Sequence, residues 1–519
     1  MKPIKDLLKH SSIYMIGQIL TRMASVMLLP FYTHVLTPAD YGVTAILDLT
    51  AALLSTFIAG GMVSAVTRHH FDADRPDHHD KVWWTGLSMV GSVCTIICLV
   101  MFAGRQVLAD VTLGPEVTEG AWFYTLAILT LWFTVVGMII DAYLRVMKWS
   151  GTFVAISMGR LLLNIGLNVW LLVPMQMGVE GLLIGNLTAT VVHTAVLLLV
   201  FVRSRGRYSV DRQIGGQMIH FAAPLVFTAL ASMAMHEGDR YFLRIWSDLE
   251  TVGVYSLAHK IGFAVNTLCL LPFISIWHVS IYDIEKLPNA GKLFGQFFGW
   301  FTSALGILLL GASLTVHPIL PLLTPDAYGA AIDLVSVVLL GFYVFGLSFM
   351  FEVPSLLTKK TRLMLPGSIA GVIVNVLANM LLIPLLGPWG AAWAGVLTYL
   401  TFSFLIMACC RSVMTIPYQW TRFLTTTAVF CVTYVLMRYQ LFPNIGPVMQ
   451  VVVSVVVCTL LAAVLFGKVA VEHGLPWLVQ RLSKNGPPQK NVCSQQAVAT
   501  IAEQTAVSQS APEAEVVSS

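Results

Sequence analysis

The chain has 519 residues, of which 57% are hydrophobic and 11% are charged, with a formal net charge of +4. Soluble domains carry about 25% charged residues, so this composition excludes an ordinary soluble globular protein and indicates an integral membrane protein. The sequence has no long basic stretch with interleaved aromatic residues, so we expect no nucleic-acid partner, and its eight cysteines show no CxxC or zinc-ligand spacing.

Long apolar segments recur along most of the chain. A helix needs about 20 apolar residues to cross a bilayer. The runs are continuous rather than alternating, so the sequence predicts an all-α integral membrane protein with fourteen transmembrane helices and no barrel strands. The predicted spans are 11–36, 42–67, 82–104, 120–143, 152–174, 178–202, 217–246, 252–280, 293–316, 327–351, 363–384, 388–408, 420–437 and 446–466.

The distribution of Lys and Arg predicts the orientation of these spans. With the N-terminus placed in the cytoplasm, 23 of the 30 basic residues fall in cytoplasmic segments. The opposite face then holds Arg105, Arg244 and Arg438. We therefore expect a multi-pass protein of the bacterial inner membrane with both termini in the cytoplasm.

Two halves of the chain resemble each other at a constant offset of 211 residues. DYGVTAIL around Gly42 parallels TVGVYSLA around Gly253, and Asn164 matches Asn375. Six helices are an even number, so the two copies would run in the same direction, as two parallel six-helix repeats.

This repeat predicts the domain organisation. The expected parts are an N-lobe of spans 1–6 (1–203), a cytoplasmic linker (204–216), a C-lobe of spans 7–12 (217–411), two extra helices (412–466) and a cytoplasmic tail (467–519). The tail is polar and rich in Pro, Ser, Gln and Ala, so we expect disorder from about residue 485. Two such lobes favour a transporter that exposes a central cavity to each side of the membrane in turn.

Two stretches carry a family resemblance: LTPADYGVTAILDLTAALLSTFIAGGMVSAVTRHHFD, and GDRYFLRIWSDLETVGVYSLAHKIG with its Asp239–Arg240 pair. Over about 1–466 the chain resembles the Wzx-type oligosaccharide flippases of the multidrug/oligosaccharidyl-lipid/polysaccharide exporter superfamily. The resemblance implies two six-helix lobes around a cavity. It also implies movement of undecaprenyl-diphosphate-linked oligosaccharide repeat units from the inner to the outer leaflet, for cell-surface or exopolysaccharide synthesis.

The same resemblance bears on partners and cofactors. Flipping breaks no covalent bond, so it implies a protein that is not an enzyme, with no catalytic residue, metal or cofactor. The substrate is a polyprenyl-diphosphate-linked oligosaccharide in the lipid bilayer. A polymerase and chain-length or export proteins are candidate partners, and we expect the protein to act as a monomer.

Four cations fall well inside predicted spans, away from the span ends where Arg244 and Arg422 lie: Arg22, Arg160, Arg240 and Lys260. A charge at the centre of a membrane helix costs about 2.5–3.5 kcal/mol or more, so these side chains are expected to face protein or water. Arg offers forked donors to phosphate and Lys acts as a point charge. The four cations predict an electropositive cavity that binds a diphosphate and acidic sugars.

A cluster of titratable side chains interrupts the apolar sequence of span 7: His236, Glu237, Asp239 and Arg240. On a helical wheel they occupy one wedge of about 160°. At 1.5 Å per residue, Arg240, Lys260 and Asp48 lie roughly 13–16 Å below the predicted outer ends of their helices, in one layer. The repeat aligns Asp48 with His259, the neighbour of Lys260.

Two interpretations of this layer remain open. The cations bind substrate while Asp48, Glu237, Asp239, His236 and His259 couple ions. Alternatively, these groups only neutralise one another, through Asp239–Arg240, Glu237–Lys260 and Asp48–Lys260 pairs. Arg22 and Arg160 have no obvious carboxylate nearby in sequence, which favours substrate contact for those two.

Two other functions are weighed against a flippase. A cation-driven small-molecule exporter of the same fold would be expected to show acidic residues at mid-membrane without matching cations, whereas four cations are embedded here. A polysaccharide polymerase or glycosyltransferase would be expected to have a nucleotide-sugar domain or a large extracytoplasmic loop. The longest such loop, GRQVLADVTLGPEVTEG, is short and has no obvious acid–base pair.

Overall fold

The computed structural model describes residues 27–72, 76–205 and 208–469, which are almost entirely helical. The α-helices of these ranges are α1 (Leu29–Val35), α2 (Pro38–Ser55), α3 (Gly61–Phe71), α4 (Pro76–Ala103), α5 (Arg105–Thr112), α6 (Gly120–Val146), α7 (Ser150–Leu172), α8 (Gly178–Ser204), α9 (Arg212–Glu237), α10 (Asp239–Trp246), α11 (Leu249–Glu285), α12 (Ala290–Leu323), α13 (Ala331–Phe351), α14 (Val353–Leu357), α15 (Leu365–Leu386), α16 (Pro388–Cys410), α17 (Trp420–Leu436) and α18 (Pro447–Val469). The chain divides into two compact units within α18, at Cys458. All sites below belong to the first.

Thirteen helical segments of the described ranges are long and apolar enough to cross a membrane. Each corresponds to one of the predicted spans from the second onward; the predicted 120–143, for example, is the observed Gly120–Val146. The all-helical membrane fold predicted from the sequence is therefore confirmed. Most of the first predicted span, 11–36, and the predicted disordered tail lie outside the described residues.

Two helices central to the site, α2 and α11, begin in the same way. The Thr37 side chain accepts a hydrogen bond from the Asp40 backbone N–H at 3.2 Å, and the Asp40 carboxylate accepts one from the Thr37 N–H at 3.0 Å. The Asp248 carboxylate accepts a hydrogen bond from the Thr251 N–H at 2.9 Å. Both are N-caps, which satisfy backbone donors that the first helical turn leaves free. The two caps are 211 residues apart in the sequence.

The backbones of α2 and α11 also approach each other closely. A methyl group added at Gly42 would overlap the Leu249 carbonyl oxygen, and one added at Gly253 would overlap the Pro38 carbonyl oxygen. Leu249 follows Pro38 by 211 residues, as Gly253 follows Gly42. The contact is therefore reciprocal: each helix presents a glycine to the first turn of the other.

The predicted span 217–246 consists of two helices, α9 and α10, joined at Gly238. Two tyrosine hydroxyl groups fix α10 beside α2 and α11. Tyr241 is hydrogen-bonded to Thr50 of α2 at 2.7 Å, and Tyr255 of α11 donates a hydrogen bond to Asp239. These contacts hold the charged segment predicted from the sequence against the helices that carry Asp48 and Lys260.

Candidate functional site

A cavity of about 350 Å³ is lined by residues of α2, α7, α8, α10 and α11, with the ends of α1 and α9. Ligand pockets in proteins are commonly about 300–1,000 Å³ in volume, so the cavity is large enough to bind a small polar group. Five of the residues predicted for the site line it: Asp48, Glu237, Arg240, His259 and Lys260. The uncharged polar lining includes tyrosine hydroxyls and amides, from Tyr32, Tyr41, Asn164, Asn168 and Asn186.

The Arg240 guanidinium group is held by side chains on two helices. One terminal nitrogen lies 2.6 Å from the Glu237 carboxylate, and the other lies 2.7 Å from Nδ1 of His259. Arginine is always a donor, so His259 accepts through Nδ1 and its ring is neutral. The Arg240 side chain is only 12% exposed. Its guanidinium group therefore interacts mainly with Glu237 and His259.

The Lys260 side chain is arranged differently. It is exposed to the cavity, and its ammonium nitrogen lies 5.7 Å from the centre of the Tyr41 ring, within cation–π range. Asp48 is exposed in the same cavity. Among the described side chains, neither residue forms an ion pair within 4.0 Å.

One ion pair considered from the sequence, Glu237–Lys260, is therefore wrong for this structure, whereas Asp48 and Lys260 are near enough to interact electrostatically. Glu237 pairs with Arg240 rather than with Lys260, because residues three apart on a helix face the same side. Lys260 and Asp48 share the cavity without direct contact. The third pair, Asp239–Arg240, exists only as a hydrogen bond from the Arg240 backbone N–H to the Asp239 carboxylate.

His236 and Asp239 face away from the cavity lining. His236 is hydrogen-bonded through Nδ1 to the Tyr399 hydroxyl group at 2.6 Å and packs edge-on against the Phe345 ring. Asp239 is 6% exposed and accepts its hydrogen bond from Tyr255. The four predicted residues therefore do not share one surface. Glu237 and Arg240 face the cavity, whereas His236 and Asp239 face the neighbouring helices.

The other two predicted cations are not among the described residues of the cavity lining. Arg22 lies outside those residues. Arg160 is half-buried on α7, where it donates a hydrogen bond to the Thr190 hydroxyl group of α8 at 3.1 Å. Asp141 of α6 is near enough to interact electrostatically with it. No carboxylate lies near Arg160 in the sequence, and the structure supplies one from another helix.

The sequence analysis missed some polar groups of the cavity. Ser256 is 3% exposed, lines the cavity, and its hydroxyl oxygen has no hydrogen-bond partner among the described residues. It precedes Lys260 by four residues, a spacing that places both on one helix face and that the sequence already contained. Asn168 donates to the Tyr32 hydroxyl group at 2.8 Å and to the Asn164 side chain at 3.1 Å. In the described ranges, no group of three or more His, Cys, Asp or Glu residues is positioned to hold a metal ion.

Arg244 of α10 forms several hydrogen bonds that anchor this helix beside the cavity. Its guanidinium group donates to the backbone carbonyl oxygens of Thr112 at 3.0 Å and Leu113 at 2.5 Å, and to the Glu116 carboxylate at 2.6 Å. A further contact reaches the Ser247 carbonyl oxygen at 3.4 Å. These contacts tie α10, and with it Arg240, to the segment between α5 and α6.

Residues 33–272 match the sequence model of a family described as "Polysaccharide biosynthesis protein". No curated protein matches the sequence. The matched residues include the cavity-lining helices from α2 through most of α11. Over this part, the chain is similar to a family named for polysaccharide biosynthesis.

Solved structures share the fold at low sequence identity. The lipid II flippase MurJ, in an inward closed conformation, has a TM-score of 0.72 and 11% identity, over 88% of this chain and 99% of that one. A multidrug resistance MATE transporter of the MOP superfamily has a TM-score of 0.57 and 13% identity when inward-facing, over 79% and 95%. An outward-facing form has a TM-score of 0.55 and 15% identity, over 82% and 97%. The family match confirms the predicted resemblance to proteins of polysaccharide biosynthesis, and the solved structures show that the chain shares their fold.

Proposed function

We propose that the protein flips undecaprenyl-diphosphate-linked oligosaccharide repeat units across the bacterial inner membrane, by exposing its cavity to each side in turn. The observation that carries this proposal is the state of Lys260. Its ammonium group faces a polar cavity inside the membrane fold, with no ion pair to a described residue. An unpaired cation inside the membrane fold is energetically unfavourable unless an anion binds it, and a diphosphate supplies that anion.

The rest of the lining supports a glycan attached to the anion. Asn164, Asn168 and Asn186 present amides on one wall, and Tyr32 and Tyr41 add hydroxyl groups and aromatic rings. Amides both donate and accept hydrogen bonds, as sugar hydroxyl groups do. We propose that Lys260 holds the phosphate end and that the amide wall contacts the sugars.

Arg240 has a different role in this proposal. Because Glu237 and His259 occupy its guanidinium group, Arg240 shapes the positive side of the cavity and keeps its neighbours in place. We also propose the predicted topology, with both termini in the cytoplasm and two six-helix lobes. A polymerase and export proteins would act on the flipped product, and the protein would function as a monomer without a catalytic step.

The decisive experiment compares a deletion strain complemented with wild type, Lys260→Met or Lys292→Met. Lys292 is exposed outside the cavity, so its variant is the matched control. We expect the deletion and Lys260→Met strains to accumulate lipid-linked repeat units in the inner leaflet, while Lys292→Met restores export. Unaltered glycan export in the deletion strain would overturn the proposal.

A cation-coupled exporter of small molecules is the second candidate. It is favoured by one observation: Asp48 is exposed in the cavity without an ion pair to a described residue, and a carboxylate there attracts a cationic compound. Drug susceptibility of the deletion strain complemented with Asp48→Asn separates the two functions. The exporter predicts a loss of resistance with normal glycan export, and the flippase predicts unchanged resistance.

A further inference from the structure

A second group of charged side chains lies among α6, α7 and α8, away from the cavity lining. Nε2 of His193 on α8 is 3.6 Å from the Asp141 carboxylate on α6. Arg160 of α7 interacts electrostatically with Asp141 and donates its hydrogen bond to Thr190, one turn before His193. Three helices thus contribute one titratable or cationic side chain each to a single place inside the membrane fold.

The His193–Asp141 pair is buried and incompletely satisfied. The side chain of His193 is 5% exposed and that of Asp141 is 24% exposed. Within the described part of the chain, Nδ1 of His193 and Oδ1 of Asp141 have no hydrogen-bond partner. A distance of 3.6 Å is also too long for a good hydrogen bond between the two groups. The atoms that face each other are Nε2 of His193 and Oδ2 of Asp141, and a buried pair held apart at this distance is strengthened by a positive charge on the imidazole.

We propose that Asp141 and His193 together form a proton-binding site, distinct from the substrate cavity. A neutral imidazole has one N–H, and a bound proton gives it two and a positive charge. The imidazolium then faces the Asp141 carboxylate as an opposite charge, and the attraction draws the two groups into hydrogen-bonding distance. Proton loss returns the pair to the separated arrangement of the structure.

The charged groups around this site come from three neighbouring helices. Arg160 approaches Asp141 from α7. Arg205, directly after α8, contacts Tyr143, two residues after Asp141, and forms a salt bridge with Asp80 of α4 at 2.6 Å. That bridge satisfies both of its own charges. Arg160 is therefore the cation that competes with a proton on His193 for the Asp141 carboxylate.

This competition links the site to the cavity. Arg160 precedes Asn164 by four residues, so both lie on one face of α7, and Asn164 lines the cavity. When His193 is protonated, it pairs with the Asp141 carboxylate in place of Arg160. Arg160 is then free to turn toward an anion in the cavity. This consequence, unlike the proton site itself, rests on the proposed flippase function.

Proton binding is measured directly on the purified full-length protein by infrared difference spectroscopy during a pH titration. We expect a coupled imidazole and carboxylate signal that is lost in both His193→Gln and Asp141→Asn. The matched control, His220→Gln, removes an exposed histidine and leaves the signal unchanged. Identical titrations for wild type and both site variants would overturn the proposal. Both site substitutions nearly preserve shape, and a melting curve for each confirms that it is folded.

Two further variants separate this site from the flippase. Arg160→Gln removes the competing cation, so we expect the signal to persist and to appear at higher pH; an unchanged position would overturn the competition. Lys260→Met is expected to abolish export while the titration stays intact. If wild type titrates but the deletion strain exports normally, the flippase function fails and the proton site stands. If His193→Gln loses the titration but exports fully at every pH, the link to the cavity fails.

Discussion

Gly42 of α2 and Gly253 of α11 face each other's helix across a contact in which each glycine lies against a backbone carbonyl oxygen of the other helix. The absence of a side chain at both positions lets the two helices approach at their first turns. Asp48 and Lys260 lie further along the same two helices and reach the cavity together. The spacing of these cavity residues thus depends on the glycine contact.

We expect Gly42→Ala and Gly253→Ala to destabilise the protein by about 1–3 kcal/mol each, because the added methyl group meets backbone atoms rather than a movable side chain. Thermal unfolding of the purified protein measures the effect. Gly91→Ala is the matched control, since a methyl group at that helical position would have no described atom within 4 Å. Equal melting temperatures for Gly42→Ala and Gly91→Ala would contradict the close contact.

The Glu237–Arg240 pair makes a separate prediction. Its side chains are 26% and 12% exposed, so removing either charge leaves the other poorly solvated. We expect Glu237→Gln and Arg240→Gln each to lower the free energy of unfolding by up to about 3 kcal/mol, with a double variant that loses less than the sum. Lys260→Gln, which breaks no ion pair with a described residue, should be at least as stable as wild type. A stability loss in Lys260→Gln equal to that in Arg240→Gln would refute the division of roles between these cations.

Tyr255→Phe tests the buried Asp239 carboxylate. The variant removes the hydroxyl group that donates a hydrogen bond to Asp239 and leaves the Arg240 backbone N–H as the remaining donor shown by the structure. A buried acceptor that loses its partner costs about 1–3 kcal/mol, so we expect a loss of that size in denaturant unfolding. Tyr282→Phe, at a tyrosine that is 47% exposed, provides the comparison. A Tyr255→Phe protein as stable as the Tyr282→Phe protein would show that this bond contributes little.

The contact between Glu116 and Arg244 should weaken in acid. A hydrogen bond from its own backbone N–H and the nearby Arg244 guanidinium group lower the pKa of Glu116 below its ordinary value of 4.5. A carboxyl group whose pKa is depressed by folding stabilises the fold above its ordinary pKa and loses that contribution as the pH falls through the lowered value. We therefore expect wild type to melt above Glu116→Gln at pH 7, and the difference to vanish in acid. Glu119→Gln should show no such pH-dependent difference; the same pattern in both variants would rule out the specific contact.

The helices were predictable because span length and apolar continuity are local properties. The predicted 388–408 is the observed Pro388–Cys410, bounded by Pro388 at its first turn and by Arg411 after its end. The glycine positions that repeat at an offset of 211 were visible too. The sequence did not reveal that Gly42 and Gly253 contact each other's helix, because a constant offset does not specify which helix faces meet.

The polar contacts were harder to predict for a similar reason. A helical wheel gives angles within one helix, so it grouped His236 with Arg240, yet His236 is bonded to Tyr399, 163 residues further on. Asp141 became the neighbour of Arg160 through α6, which the sequence near Arg160 does not reveal. Only the i,i+3 pair of Glu237 and Arg240 lay within the range of a purely local argument.

Three of the four acceptors of Arg244 are backbone carbonyl oxygens, at Thr112, Leu113 and Ser247. Every amino acid presents such an oxygen, so Arg244 recognises the end of α5 and the segment after it largely through the backbone. Apart from Gly114, whose φ is +89°, and Glu116, which binds Arg244 through its side chain, substitutions in that segment should be tolerated during evolution or engineering, whereas an inserted or deleted residue would move the carbonyl oxygens and release α10. Chain length is therefore the more constrained property of this segment.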